Sequence, residues 1–163
     1  MLTAARLREV LHYDPATGLW RWLVTLNNFA KAGSIAGTPD KKGYIRIVVD
    51  RRSYAAHRLA WFYMTGEWPP CLVDHRDLNK ARNVWSNLRL ASNSQNGQNS
   101  ALSSRNSTGY KRVCWHKRLK KYQVAIKVDG KQLHLGTFDD PKVAHEAYVA
   151  AAIKYYGEFA RAA

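Results

Sequence analysis

The chain has 163 residues, enough for one ordinary domain or two small ones, and its 46% hydrophobic and 12% aromatic content excludes a wholly disordered protein. Its formal charge of +14, from 26 Lys and Arg against 12 Asp and Glu, points to a polyanionic partner. Two cysteines exclude a four-thiolate zinc site and a disulfide framework, and no stretch is long enough or apolar enough to span a bilayer.

The charge is spread evenly. Residues 1–100 carry 14 basic and 7 acidic side chains, and residues 101–163 carry 12 and 5, so each part has a charge of +7. Both parts are therefore suited to meet anions. The N-terminus has charges within its first turns and reads as neither a signal peptide nor an anchor. With no disulfide framework, a reducing cytoplasm is the expected compartment.

Leu2, Leu7, Val10 and Leu11 recur at helical spacing and predict a short amphipathic helix over residues 2–12. Pro15 and Gly18 then mark a turn between Tyr13 and the Trp20/Trp22 pair, predicting a hairpin with both tryptophans on one face. Residues 27–42 read as a loop, residues 43–50 as a strand, and RRSYAA as the passage into a helix over 57–66 that Gly66 ends. The two prolines that follow force an extended segment. Cys71 and Cys114 are predicted as packed strand residues.

Beyond residue 71 the pattern changes. A strand-like CLV ends in Asp74-His75; a polar loop follows; Asn87 leads into a short strand, LRLAS; and a polar helix begins near Ser92 and carries Asn96. Residues 101–108 read as a linker. The last third shows three strand-like runs, YKRVCW, YQVAIKV and QLHLGTF, with Asp129-Gly130 as a hairpin signal. Its final helix is capped by Asp139 or Asp140, has Pro141 in its first turn and is closed by Gly157. The fold class is α+β.

The ordered strings HRLAWFYMTGEWPP, VDHRD and NLRLASNSQNGQN resemble the HNH endonucleases of phages and mobile elements. That resemblance covers residues 1–100, with its specific part at 57–99. It implies a ββα-metal core, two antiparallel strands and a helix gripping one divalent cation, Mg²⁺ or Mn²⁺, after a helical and β-rich N-terminal region. It implies that His75 is the general base, which suits an imidazole titrating near neutrality. It implies that Asp74 and Asn96 bind the metal, with Asn93 as the fallback ligand, and that Asn87 fixes the His75 loop and imidazole by hydrogen bonding. His57 falls to a structural role behind the site. Arg58 and Arg89 are candidates for phosphate contacts, and Asp77 and Asn79 for shaping the loop, with Asp77 near the metal.

Residues 109–163 are similar to an AP2 domain through GYKRVCW, YQVAI, LGTFD and AHEAYVAAAIKYYGE. This implies a three-stranded antiparallel sheet laid in the DNA major groove with one helix packed behind it. Lys111, Arg112, Lys117, Arg118, Lys120 and Lys121 fall within eleven residues that contain no acid. The contact set for double-stranded DNA is Lys111, Arg112, Trp115, Lys117, Arg118, Lys121, Gln123 and Lys127. The sequence thus predicts a DNA endonuclease, a monomer or weak dimer with no membrane partner. A non-catalytic, sequence-specific DNA-binding regulator is the alternative, against which the Asp74-His75 pair argues; an RNA-binding protein is a further rival.

Overall fold

A computed structural model describes residues 2–100, 102–104, 106–128 and 130–160. The chain divides into two compact units, Met1–Ser92 and Asn93–Ala163.

In the first unit, Thr3 caps helix α1 (Ala4–Val10) by accepting a hydrogen bond from the Arg6 N–H. The chain passes directly into strand β1 (Leu11–Tyr13), which pairs antiparallel with β2 (Trp20–Trp22). As the alternation predicts, Trp20 and Trp22 are buried and Arg21 is not. The turn between them has little room. Gly18 has φ +73, and a Cβ there would collide with the backbone of Asn83 and Val84.

The loop that follows contains one short strand, β3 (Thr38–Pro39), on the edge of β4 (Ile45–Val49). RRSYAA differs from the expectation. It contributes strand β5 (Arg52–Ala55), antiparallel to β4, before helix α2 (Ala56–Thr65) begins. Asp50 and Arg51 form the two-residue connection with φ +48 and +63, a conformation whose twist matches a hairpin. Asp50 also faces the Arg6 guanidinium at 3.2 Å. Gly66, at φ +79, closes α2.

Strand β6 (Leu72–His75) pairs antiparallel with β7 (Leu88–Ala91), and a 3-10 turn over Trp85–Asn87 enters β7. The core of this unit draws on most of these elements: Leu7, Leu11, Trp20, Ile47, Leu59 and Val73 share one buried cluster. Aromatic rings fill much of it, with Tyr13, Trp20 and Tyr63 mutually in contact and Phe62 stacked on Trp68 at 4.3 Å.

The second unit starts with the short helix α3 (Asn93–Gln98). Strands β8 (Val113–His116), β9 (Lys121–Val128) and β10 (Lys131–Phe138) form an antiparallel sheet in the order β10-β9-β8. Asp129 lies outside the described residues, but Val128 and Lys131 pair across that turn. Helix α4 (Pro141–Tyr156) follows, with the Asp140 carboxylate accepting from the Lys142 N–H, Pro141 at its start and Gly157 at its end. Its Ala144, Tyr148 and Ala152 are buried with Val113, Val124 and Ile126 of the sheet. Small residues on the helix allow that close approach.

Both cysteines depart from the expectation. Cys71 precedes β6 rather than lying in it, and Cys114 sits on the open face of β8; both are exposed free thiols. Among the described residues, no helix is long and apolar enough to cross a membrane.

Candidate active site and nucleic-acid interface

The β6–β7 hairpin places the two neighbours Asp74 and His75 on opposite sides of one strand, and both are buried. Asp74 lies directly across from Arg89 in the antiparallel register. The Arg89 guanidinium reaches its Oδ2 through both Nε and Nη2, each at 3.1 Å. Both side chains are about 5% exposed, so this ion pair is screened from water. Arg89, a sequence candidate for phosphate contact, is thus committed to Asp74. Arg58 donates to the carbonyls of Cys71 and Pro69 and ties α2 to the extended segment before β6.

On the other side of the strand, the His75 Nε2 lies 3.1 Å from Asn83 Oδ1. The His57 ring meets it edge-on at 5.0 Å, and Tyr44 packs against both imidazoles. His57 is buried, and its Nδ1 makes no hydrogen bond. Burial, followed by the nearby His75, Arg58 and Arg46, pushes the His57 pKa down to about 3. Burial also lowers His75, although the Asn83 hydrogen bond and the charges of Asp74 and Asp77 oppose it. Two neutral imidazoles at pH 7 follow, and a neutral imidazole has a lone pair with which to accept a proton.

The depressed His57 value makes a prediction about acid stability. Below its ordinary value of 6.5 the unfolded chain binds a proton that the folded chain refuses. Stability is therefore complete above that pH and falls as pH drops toward about 3, with a slope approaching ~1.4 kcal/mol per pH unit. The depressed Asp14, Asp40 and Asp77 carboxylates act at lower pH, so the interval between pH 6.5 and 4.5 reports the histidines. Urea midpoints at pH 7 and 5 should separate in the wild type and draw together in His57→Leu.

Asn87 governs the loop between the two strands. Its Nδ2 donates to Asp77 Oδ1 at 2.9 Å and to the Arg82 carbonyl at 2.8 Å, while its Oδ1 accepts from the Asp77 N–H at 3.2 Å. Its backbone carbonyl accepts from Arg76. For Asp77, burial works to raise the pKa. Hydrogen bonds from Asn87, the Asn79 N–H and Arg82 outweigh it and hold the carboxyl below its usual range. Asp77 and Asn79 shape the loop through these bonds and through the Asn79 side-chain Oδ1, which accepts from the Ala81 N–H. Asn83, which holds the imidazole, was not singled out in the sequence. It stood in a run of loop asparagines with nothing local to distinguish it.

Asn96 and Asn93 lie on α3, in the second unit, and both are exposed. Among the described residues, no group of three or more His, Cys, Asp or Glu side chains is gathered as a metal centre. The ligands named by resemblance are a carboxylate and an amide oxygen. Such hard donors suit Mg²⁺ or Mn²⁺. Asp74 supplies a carboxylate of that kind, with its Oδ2 paired to Arg89.

In the second unit, strand pairing sorts the basic candidates by face. Val113, Trp115, Tyr122, Val124 and Ile126 share the side that packs on α4; Trp115 meets Tyr122 at 4.8 Å and is half exposed at the sheet margin. The opposite side carries Cys114, Lys121, Gln123, Ala125, Lys127 and His134, and a depression of about 220 Å³ lined by Arg112, Cys114, Gln123, Ala125 and Gln132 opens there. Gln123 and His134 are linked across the strands at 3.3 Å. Lys117 and Arg118 are exposed in the β8–β9 turn. Lys111 and Trp115 thus fall away from this open surface. Lys111 is buried, with its ammonium on the carbonyls of Gln98 at 2.9 Å and Ser100 at 2.7 Å. It is a structural clamp by geometry, because those carbonyls occupy the charge that a phosphate would otherwise take.

No curated protein sequence matches the chain significantly. One similar solved structure, described as DNA binding and cleavage by the HNH homing endonuclease I-HmuI, has a TM-score of 0.44 and 21% identity, covering 90% of this chain and 85% of that one. Residues 54–98 match the family model described as HNH endonuclease, a span that runs from β5 through Asp74, His75 and Asn87 to α3. This segment, and not the chain as a whole, is similar to HNH endonucleases.

Proposed function

We propose that the chain hydrolyses phosphodiester bonds of double-stranded DNA, with His75 as general base and one divalent cation, Mg²⁺ or Mn²⁺, held by Asp74. The observation that carries this reading is the buried His75 imidazole, held by Asn83 at 3.1 Å on the strand that also bears Asp74, within the matched segment. Asn96 is the second metal ligand that the resemblance supplies, and Asn87 acts by pinning the loop from which His75 works.

The chemistry follows from these side chains. His75 accepts a proton from water as the water oxygen bonds to phosphorus; the bond from phosphorus to the 3′ oxygen breaks with its electron pair going to that oxygen, which takes a proton from a second water molecule. The products carry 5′-phosphate and 3′-hydroxyl ends. The ion, when bound, supplies positive charge at the phosphate and the leaving oxygen. Burial keeps His75 neutral and so keeps its lone pair ready at pH 7. One such site per monomer makes a single-strand nick the elementary event.

The second unit, read as an AP2-type module, supplies DNA docking. Arg112, Lys117, Arg118, Lys121, Gln123 and Lys127 surround its open sheet face and the adjoining turn. Phosphate contacts by these cations set position, and Gln123 offers an amide for base edges. Conversion of supercoiled plasmid to the nicked form with Mg²⁺, and its loss with chelator, tests the activity; a chain that never nicks in Mg²⁺ or Mn²⁺ would leave only the DNA-binding reading. Lys127→Ala and Arg118→Ala should each lower the slope of log affinity against log salt by about 0.9, measured by anisotropy on a duplex. Unchanged slopes would remove this face from the interface.

A further inference from the structure

We propose that Asn83 is a positioning residue that fixes the tautomer of His75, with Nε2 carrying the proton and Nδ1 carrying the lone pair. The inference rests on the reading of His75 as the base and deepens it by naming the reacting nitrogen.

The argument starts from the Asn83 amide. Its Nδ2 donates to the Ala81 carbonyl at 3.1 Å, and its Oδ1 stands 3.1 Å from the His75 Nε2. Turning the amide over would set its oxygen against the Ala81 oxygen, two acceptors facing each other with no proton between them. The Ala81 carbonyl therefore decides which end of the amide meets the ring. An amide oxygen accepts only, so the nitrogen it faces must donate. A neutral imidazole has one N–H, and with that proton on Nε2 the lone pair lies on Nδ1. Asn83 is 2% exposed, which keeps bulk water from competing for its amide.

Asn83 is itself held from far away in sequence. The Tyr13 hydroxyl donates to its carbonyl at 2.6 Å, in a buried bond that spans 70 positions. The Trp85 N–H donates to the Pro15 carbonyl at 3.0 Å, and Gly18 lies tight against the Asn83–Val84 backbone. The β1–β2 hairpin thus clamps the segment on which Asn83 rides. An orienting hydrogen bond is effective only when its own acceptor cannot turn away.

Nitrogen-15 NMR of the metal-free full-length protein at pH 8 reads the tautomer directly, without reference to activity. Wild type should show His75 with its proton on Nε2. Asn83→Ala should lose that preference, and its single-turnover nicking rate should fall about 10- to 100-fold with little change in KM. Tyr13→Phe weakens the clamp but keeps the amide; it should retain the tautomer, which separates orientation from general loss of stability. If N83A folds poorly, N83S withdraws the amide oxygen in the same way and should give the same spectrum. A wild-type proton on Nδ1, an unaltered tautomer in N83A and N83S, or an altered tautomer with unchanged turnover would each overturn the proposal. A locked tautomer in a chain that never cuts DNA would overturn the base reading and uphold the lock.

Discussion

His75→Ala should slow strand cleavage by roughly 100- to 10,000-fold, the usual worth of a general base, while affinity for duplex DNA stays nearly the same. The reason is local. His75 is 3% exposed, and its ring is held by Asn83 and packed by His57 and Tyr44. Removing it also leaves the Asn83 amide oxygen without this donor, at a cost of about 1–3 kcal/mol in stability. Single-turnover nicking and a urea melt on the same preparation separate the two effects. Wild-type rates in a folded H75A protein would end the assignment of the base.

Arg89→Met should destabilise the first unit by about 3–5 kcal/mol, because it leaves the Asp74 carboxylate buried without this counter-ion. Methionine fills much of the arginine stem's volume, so the loss is electrostatic more than steric. The double variant Arg89→Met/Asp74→Leu should recover most of the loss, since it removes both charges together. Divalent cation adds a second readout. If Asp74 binds the ion, Mg²⁺ should raise the urea midpoint of R89M more than that of wild type, and that of the double variant not at all. Equal midpoints for R89M and wild type would show that the pair contributes nothing.

Much of the fold was legible in the chain because local signals agreed with one another. Alternating Trp20 and Trp22 about a Pro–Gly turn gave the first hairpin, and Asp140, Pro141 and Gly157 bracketed α4 almost to the residue. Strand β5 was missed for a physical reason. Its turn, Asp50-Arg51, takes two positive φ angles without glycine, and the strand it starts is built of Arg, Ser, Tyr and Ala. Only pairing with β4 reveals it. The cysteines were misread because position before or within a strand does not say which side of the sheet is covered.

The candidate site was legible as motif and opaque as geometry. Asp74, His75 and Asn87 stood out through order and spacing, and Asn87 indeed ties the intervening loop together. What spacing could not convey was partnership across the fold. Lys111 looked like its basic neighbours until the Gln98 and Ser100 carbonyls took its ammonium. Trp115 alternated onto the covered side of the sheet, and Arg89 turned to Asp74. Each of these depends on residues that the local pattern does not mention.

The clamp between the first hairpin and the loop at Asn83 bears on how the first unit is handled as a part. The matched stretch, 54–98, does not hold the tools to shape itself: Tyr13, Pro15 and Gly18 lie outside it, as do Leu7, Leu11 and Ile47 of its shared core. Excised and fused to another domain, that stretch would carry Asp74 and His75 of β6 and Arg89 of β7 yet present raw apolar surface and a loose imidazole. A transplantable cassette has to begin near residue 2, with the opening helix and both tryptophans aboard.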